Sequence, residues 1–593
     1  MAWARDNPQA HVPQNTDIIA KIVVATIRPA PLEWSFCDSL RNEHGNEEPL
    51  VDWDSDNMAS VDLSAFLKAL VGVIEPLSRE VSLAYWNAAI SGASADFERF
   101  VEQQLRLQKV YSSAEDFEKI RKWRDNPRVT DPFERRQVEI FYNDFLRNQI
   151  DPALNEEITR LSSRIENQFN VYRAALDGRT VTTNDIADIL RESRDTGLRR
   201  RAWEAGKEVA GVVHDDLLRL ARMRNEAAQS IGYENFYAMS IDLDEQSESE
   251  LLSLFEDLDQ LTRVPFASLK EETDDRVARR YGIAAVDLRP WHYDDLFFQE
   301  APQVYDIDLD GFYRDRDVIG IVRRYYNTLG LEVDDILERS DLYEKPGKDQ
   351  HAFCLDIDRA GDIRVLANLK NDEKWTGTLL HELGHAVYDK YIDPTLPFPL
   401  RHHAHILVTE AVAMMFGRLS KNPLWIRDAA GFPEQEATRA AGELFKHHRL
   451  SQLVFTRWAQ VMIHFERALY RDPDQDLNAL WWELVERFQF VTRPDDRDFP
   501  DWAAKSHVVS APVYYHNYLL GELLASQISH CVRTHLSSSS GKSQAHVADP
   551  AAGRYLKETV FEPGARYRWN KLVERATGEP LTPRHFVDEF ARG

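Results

Sequence analysis

At 593 residues the chain exceeds the size at which one compact core is usual, so several domains or one large two-lobed helical body is expected. Hydrophobic residues at 43% and aromatics at 11% exclude a disordered chain, and 25 Gly are too few for a glycine-punctuated all-β or dinucleotide-binding architecture. With 72 basic against 98 acidic residues the formal charge is -26, which argues against a nucleic-acid partner and for an acidic, solubilising surface.

Residues 1–58 read as an irregular extension: Pro8, Pro13, Pro29 and Pro31 precede a polar acidic run from Arg41 to Asp56. The segment lacks the basic-then-apolar order of a signal peptide, and nowhere do about 18 apolar residues follow one another as a membrane span requires. Cys37, Cys354 and Cys531 are too far apart to suggest a disulfide framework or a cysteine metal site. A cytoplasmic protein without a membrane segment is the expectation.

From about residue 59 the chain reads as one domain running to 593. Helical periodicity begins near Val61 and persists to roughly residue 285. Within it Thr182-Thr183-Asn184-Asp185 offers capping side chains, and Gly232 is placed to end a helix through Arg224-Asn225-Glu226. The aromatic and polar stretch Leu288–Pro302 breaks the rhythm and reads as a packed connection between lobes, in preference to a substrate contact. Next come His351–Ile357 and Ile363–Leu369, two strand-prone runs separated by a turn-like Asp358–Asp362. A hairpin there leaves an edge strand able to hold an extended peptide by its main chain.

The sequence Leu379-Leu380-His381-Glu382-Leu383-Gly384-His385-Ala386-Val387 follows. Residues four apart share a helix face, so His381 and His385 can direct two imidazoles at one zinc ion while Glu382 stands beside them as a general base. The apolar neighbours place this trio in a buried setting, where imidazole and carboxylate need a partner that a metal supplies. Glu410 comes 25 residues after His385, beyond the break Asp393–Pro399 and among apolar Ala411, Val412 and Ala413. As a third ligand it leaves the fourth position open, the pattern of catalytic zinc; the alternative is a surface acid. Helix returns with Trp481–Val485 and Tyr515–Ile528, and Ser537–Ser543 reads as a flexible loop whose Gly541-Lys542-Ser543 lacks the rest of a phosphate-binding motif.

With these pieces in place the chain resembles the gluzincin peptidases, above all the angiotensin-converting-enzyme family, with the thimet-oligopeptidase family as near neighbour. The resemblance takes in Ile189–Asp195 with Ala202-Trp203, Arg224–Ala228 leading to Gly232-Tyr233, His351-Ala352, the HExxH segment, Glu410 and the tyrosines near 515, about residues 60 to 535. It implies a mostly α, two-lobed body with a deep central channel and a small hairpin beside the HExxH helix. It further implies that His351 and Ala352 hold the substrate backbone and that Lys505, of Lys505-Ser506-His507, binds a peptide's C-terminal carboxylate. His507 would contact the scissile region, Tyr515 would help bind the carboxylate, and Tyr518 would donate to the oxyanion. The interval after His507 is one residue longer than the family's, which makes Tyr514 a competitor of Tyr515. Two departures stand out: Asn517 replaces the arginine that binds activating chloride, and Met414 replaces an acid that orients a ligand histidine.

The expected function is therefore a zinc-dependent metallopeptidase acting on short peptides and releasing dipeptides from C-termini. An endo-acting oligopeptidase, an amidohydrolase of a peptide-like small molecule and a non-catalytic peptide-binding protein are the alternatives.

Overall fold

The computed structural model describes residues 63–540 and 549–592; the extension expected over 1–58 lies outside the described residues. Helices dominate from Leu63–Ser91 to Arg584–Phe590, and the strands form two two-stranded hairpins, β1–β2 (Ala174–Leu176, Arg179–Val181) and β3–β4 (Phe353–Asp356, Ile363–Leu366). The mostly α expectation is met. Local sequence explains where the helices begin and end. Asp131 and Asp151 each cap a helix whose first residue is proline, which has no N–H to leave unsatisfied. Thr182 and Asp185 form a reciprocal capping box, and Gly232 follows the helix Val209–Ser230 with φ +96°. The 34-residue helix Glu248–Tyr281 closes on Gly282 in the left-handed region.

The first part of the loop expected at Ser537–Ser543 is helix instead. The helix Tyr515–Ser540 runs through the serines, because adding a residue to an existing turn costs little. The rest of that segment lies outside the described residues. Among the described residues no helix is long and apolar enough to cross a membrane.

The interior divides into two main clusters joined by the β3–β4 hairpin. The smaller gathers Leu67, Ile74, Trp86, Phe141 and their neighbours from the first helices; the larger spans most of the chain from Leu161 onward. Side chains alternate across a strand, so β3 sends Phe353 and Leu355 into the smaller cluster and Cys354 into the larger, while β4 sends Leu366 one way and Ile363 and Val365 the other. The hairpin is thus buried on both faces, which fixes its register and the position of the residues just before it. A cavity of about 450 Å³ opens between the helices Pro132–Leu146 and Pro152–Val171 on one side and His402, Ile406, Ala511 and Tyr514 on the other.

Candidate functional site

The HExxH sequence occupies the second half of the helix Glu373–Lys390, started by Asp372, whose carboxylate accepts from Trp375 N at 2.8 Å. Leu379, Leu380, Leu383, Ala386 and Val387 are fully buried, as their pattern implied. Tyr326 fixes the turn before the first histidine by donating to Leu380 O at 2.6 Å. The helix Ile406–Gly417 lies against this one at backbone contact: a Cβ on Gly384 would come within 2.7 Å of Ala413 Cα, so only glycine permits the approach. That approach brings Glu410 to the two histidines.

His381 Nε2 and His385 Nε2 are 3.2 Å apart, and Glu410 Oε2 stands 3.6 Å from the first and 4.0 Å from the second. A tetrahedral zinc ion with bonds of about 2.0–2.2 Å spaces its donors about 3.3–3.6 Å apart, so these three donors fit the ion with little adjustment. Among the described residues they are the one group of three able to hold a metal in this way. With Nε2 turned to the ligand position, His385 Nδ1–H donates to Thr409 Oγ1 at 2.7 Å. Thr409 therefore orients a ligand histidine, a task the loss of an acid at Met414 had left open. Glu382 is buried beside the group. Its charge, after burial and Asp389, contributes to pushing the Cys354 thiol far above its usual range, so Cys354 stays neutral.

His351 and Ala352 precede β3 rather than begin it. Both are buried, and a single carboxylate oxygen, Asp349 Oδ1, takes the His351 backbone N–H at 2.9 Å and lies 3.0 Å from its Nδ1.

A second cluster forms around Lys505, which is buried among rings: its Nζ lies 5.4, 5.3 and 5.8 Å from the centroids of Phe297, Trp458 and Tyr515. It donates to Gln299 Oε1 at 2.7 Å. Trp458 Nε1 donates to the Tyr515 hydroxyl at 3.1 Å, and burial holds that phenol far above its ordinary pKa, so it remains a proton donor. The His507 ring lies 4.8 Å and the Tyr518 ring 5.8 Å from Tyr515. Tyr514 instead packs on Ala511 and Ile406 and lines the 450 Å³ cavity, so Tyr515 is the tyrosine brought to Lys505. Asn517 Oδ1 accepts from Gln246 Nε2 at 2.8 Å, and both side chains are buried.

Gln299 escaped the sequence reading. It belongs to the stretch expected only as a packed connection, and that expectation holds for most of the stretch: Arg199 donates to Trp291 O and Tyr293 O, and Gln489 to Phe297 O and Phe298 O. Asp295 accepts from the backbone N–H of Phe297 and Gln299, and this tight loop aims Gln299 at Lys505. No spacing rule marks such a residue; only the fold brings residue 299 to 505. Trp458 too is brought to Tyr515 by the fold alone.

The family model described as angiotensin-converting enzyme matches residues 57–269 and 312–587. The interval it passes over contains Phe297 and Gln299. No curated protein matches the chain.

Proposed function

The chain belongs to the angiotensin-converting enzyme family of zinc metallopeptidases, and we propose from that premise that it removes dipeptides from the free C-termini of short peptides. One observation carries the finer reading. The helix that presents Tyr515 to Lys505 also packs Gly521 on the third metal ligand: a Cβ there would lie 3.2 Å from Glu410 Cβ. Six residues of helix separate the two contacts by about 9 Å, close to the roughly 7 Å spanned by two extended residues. A peptide whose carboxylate sits at Lys505 would thus present its second peptide bond, counted from the C-terminus, near the metal group.

In this reading Lys505, Gln299 and Tyr515 bind the terminal carboxylate, and His351 with Ala352 holds the backbone alongside β3. Zinc bound at His381, His385 and Glu410 would polarise the scissile carbonyl and acidify water. Glu382 takes the proton of the attacking water and passes it to the leaving amine. His507 and Tyr518 donate hydrogen bonds to the carbonyl oxygen as negative charge gathers there. The 450 Å³ cavity beyond Tyr514 leaves room for the peptide on the N-terminal side of the cut. Cys354 and Cys531 carry free thiols, in keeping with the cytoplasm as the proposed compartment, which cell fractionation would check.

The test is hydrolysis of one peptide with a free C-terminus and of its amidated twin, with products read by mass spectrometry. Dipeptides from the free acid and little cleavage of the amide are expected. Internal cleavage of both at similar rates would replace this reading with an endo-acting oligopeptidase.

A further inference from the structure

The region around Lys505 holds a second lysine to which the mechanism above gives no task. Lys207 ends the helix Thr196–Lys207 and is 1% exposed. Its ammonium lies 3.4 Å from the centroid of Phe297 and 5.3 Å from that of Trp203, so ring faces are its close neighbours. The acids nearby are committed elsewhere. Asp501 accepts two N–H bonds from Arg497 at 2.8 and 2.7 Å, and Asp295 accepts from the backbone of Phe297, Gln299 and Glu300. A lysine this buried ordinarily has an ion-pair partner, and among the described residues Lys207 has none. Phe297 is the ring it shares with Lys505, whose ammonium lies 5.4 Å from the same centroid.

We propose that Lys207 is a second cation of this pocket, sharing the Phe297 ring with Lys505, and that it helps draw in the C-terminal carboxylate of the peptide. The proposal rests on the reading of the pocket as the carboxylate site. Burial without a partner is costly for an ammonium, and the cost is recovered when an anion arrives. Burial is the main cause that pushes Lys207 down to about 7; Arg497 and Lys505 act in the same direction, and Asp501 and Asp295 oppose them. Near neutral pH, before a peptide binds, Lys207 is therefore held partly as the amine. A carboxylate favours the ammonium form, so binding takes up a proton, and by reciprocity the carboxylate binds more tightly below pH 7 than above it. Phe297 and Gln299 both lie in the interval 270–311 that the family match leaves out.

Calorimetric titration of the zinc-loaded protein with a dipeptide, and with its amide, tests the idea without turnover. At pH 7.5, in buffers of different ionisation enthalpy, the dipeptide should take up about half a proton per site and the amide none. Lys207→Arg should keep the affinity and lose the uptake. Lys207→Met should weaken the dipeptide about tenfold at pH 6.5, the order of one charge acting across a protein interior, and leave the amide unaffected. Uptake that persists in Lys207→Arg, or dipeptide affinity unchanged in Lys207→Met, overturns the proposal; should the Met variant not fold, the Arg variant decides alone. Lys505→Met separates the two readings: if it loses the dipeptide while both Lys207 variants behave as wild type, only the role of Lys207 falls. If Lys505→Met binds the dipeptide as wild type does, or wild type does not bind it, the carboxylate pocket falls and Lys207 with it.

Discussion

The metal group and the Lys505 pocket are built in different ways. The first takes His381 and His385 from one helix turn and Glu410 from the helix packed against it, joined where Gly384 meets Ala413. The second takes Phe297 and Gln299 from a loop, Trp458 from the middle of a 38-residue helix, Lys505 from the link between two four-residue helices, His507 from the start of the second of these, and Tyr515 from the start of another helix. A group built on packed helices is rigid and local, suited to fixing reacting atoms. A pocket assembled from distant segments depends on the whole fold, and one that recognises a terminal group far from the cut bond should act on binding more than on chemistry.

The sharpest way to break that comparison is at Glu382. Glu382→Gln keeps the shape of a buried side chain and removes the base, so kcat should fall by about 10²–10⁴-fold while KM and zinc content stay near wild type. Metal analysis beside the kinetics checks it. Loss of zinc in this variant would mean that Glu382 supports the ligand set rather than the proton transfer.

The opposite signature belongs to Lys505. Lys505→Met removes a charge-assisted contact worth about 1.5–3 kcal/mol, so KM for free-acid peptides should rise roughly 10- to 150-fold with kcat changed little. The amidated twin should respond far less. A large fall in kcat for both peptides would show that the pocket shapes the reacting centre and that the two regions are not separable.

The two regions also differ in how far they could be read from the sequence. His381, Glu382 and His385 are set by the 3.6-residue helical period, and Glu410 by the chain needed to finish one helix and lay down the next. The hairpin before them was legible from β-prone runs around a turn, although β3 begins at Phe353, two residues past His351, because Asp349 holds the His351 backbone N–H outside the ladder. Lys505, His507, Tyr515 and Tyr518 entered through family resemblance, since nothing in their local pattern separates them from core residues. Gln299 was not legible at all: its role depends on Asp295 folding the loop and on Lys505 lying 206 positions away. Thr409 shows a third kind of limit. A hydroxyl replaces the acid expected near the ligands, and it does so one residue before Glu410 rather than one turn after it.

That substitution sharpens the comparison from the metal side. Thr409→Val removes the Oγ1 that accepts from His385 Nδ1, leaving the imidazole without its 2.7 Å partner while keeping the volume of the side chain. Loss of such an outer partner typically lowers metal affinity about 10- to 100-fold. Competition with a chelator should detect it, while activity at saturating zinc should stay closer to wild type than in Glu382→Gln. An unchanged zinc affinity would assign the orientation of His385 to the helix packing alone.

The smallest effect concerns the paired tyrosines, where one extra residue after His507 allows either phenol to face the pocket. Tyr515 receives the indole N–H of Trp458 and stands within 5.8 Å of Lys505 Nζ by its ring centroid, whereas Tyr514 packs on Ala511 and Ile406 at the edge of the cavity. Tyr515→Phe should therefore raise KM for free-acid peptides by about two- to tenfold, the scale of one neutral hydrogen bond, and Tyr514→Phe should not alter it. Tyr514 lines the cavity proposed for the N-terminal side of the substrate, so its variant should show any change in the length of peptide preferred rather than in the need for a free carboxylate. Peptides of graded length, each as acid and amide, separate the two. A reversed result would put Tyr514 on the carboxylate, and would mean that the segment between His507 and Tyr515 shifts by one residue when a peptide enters.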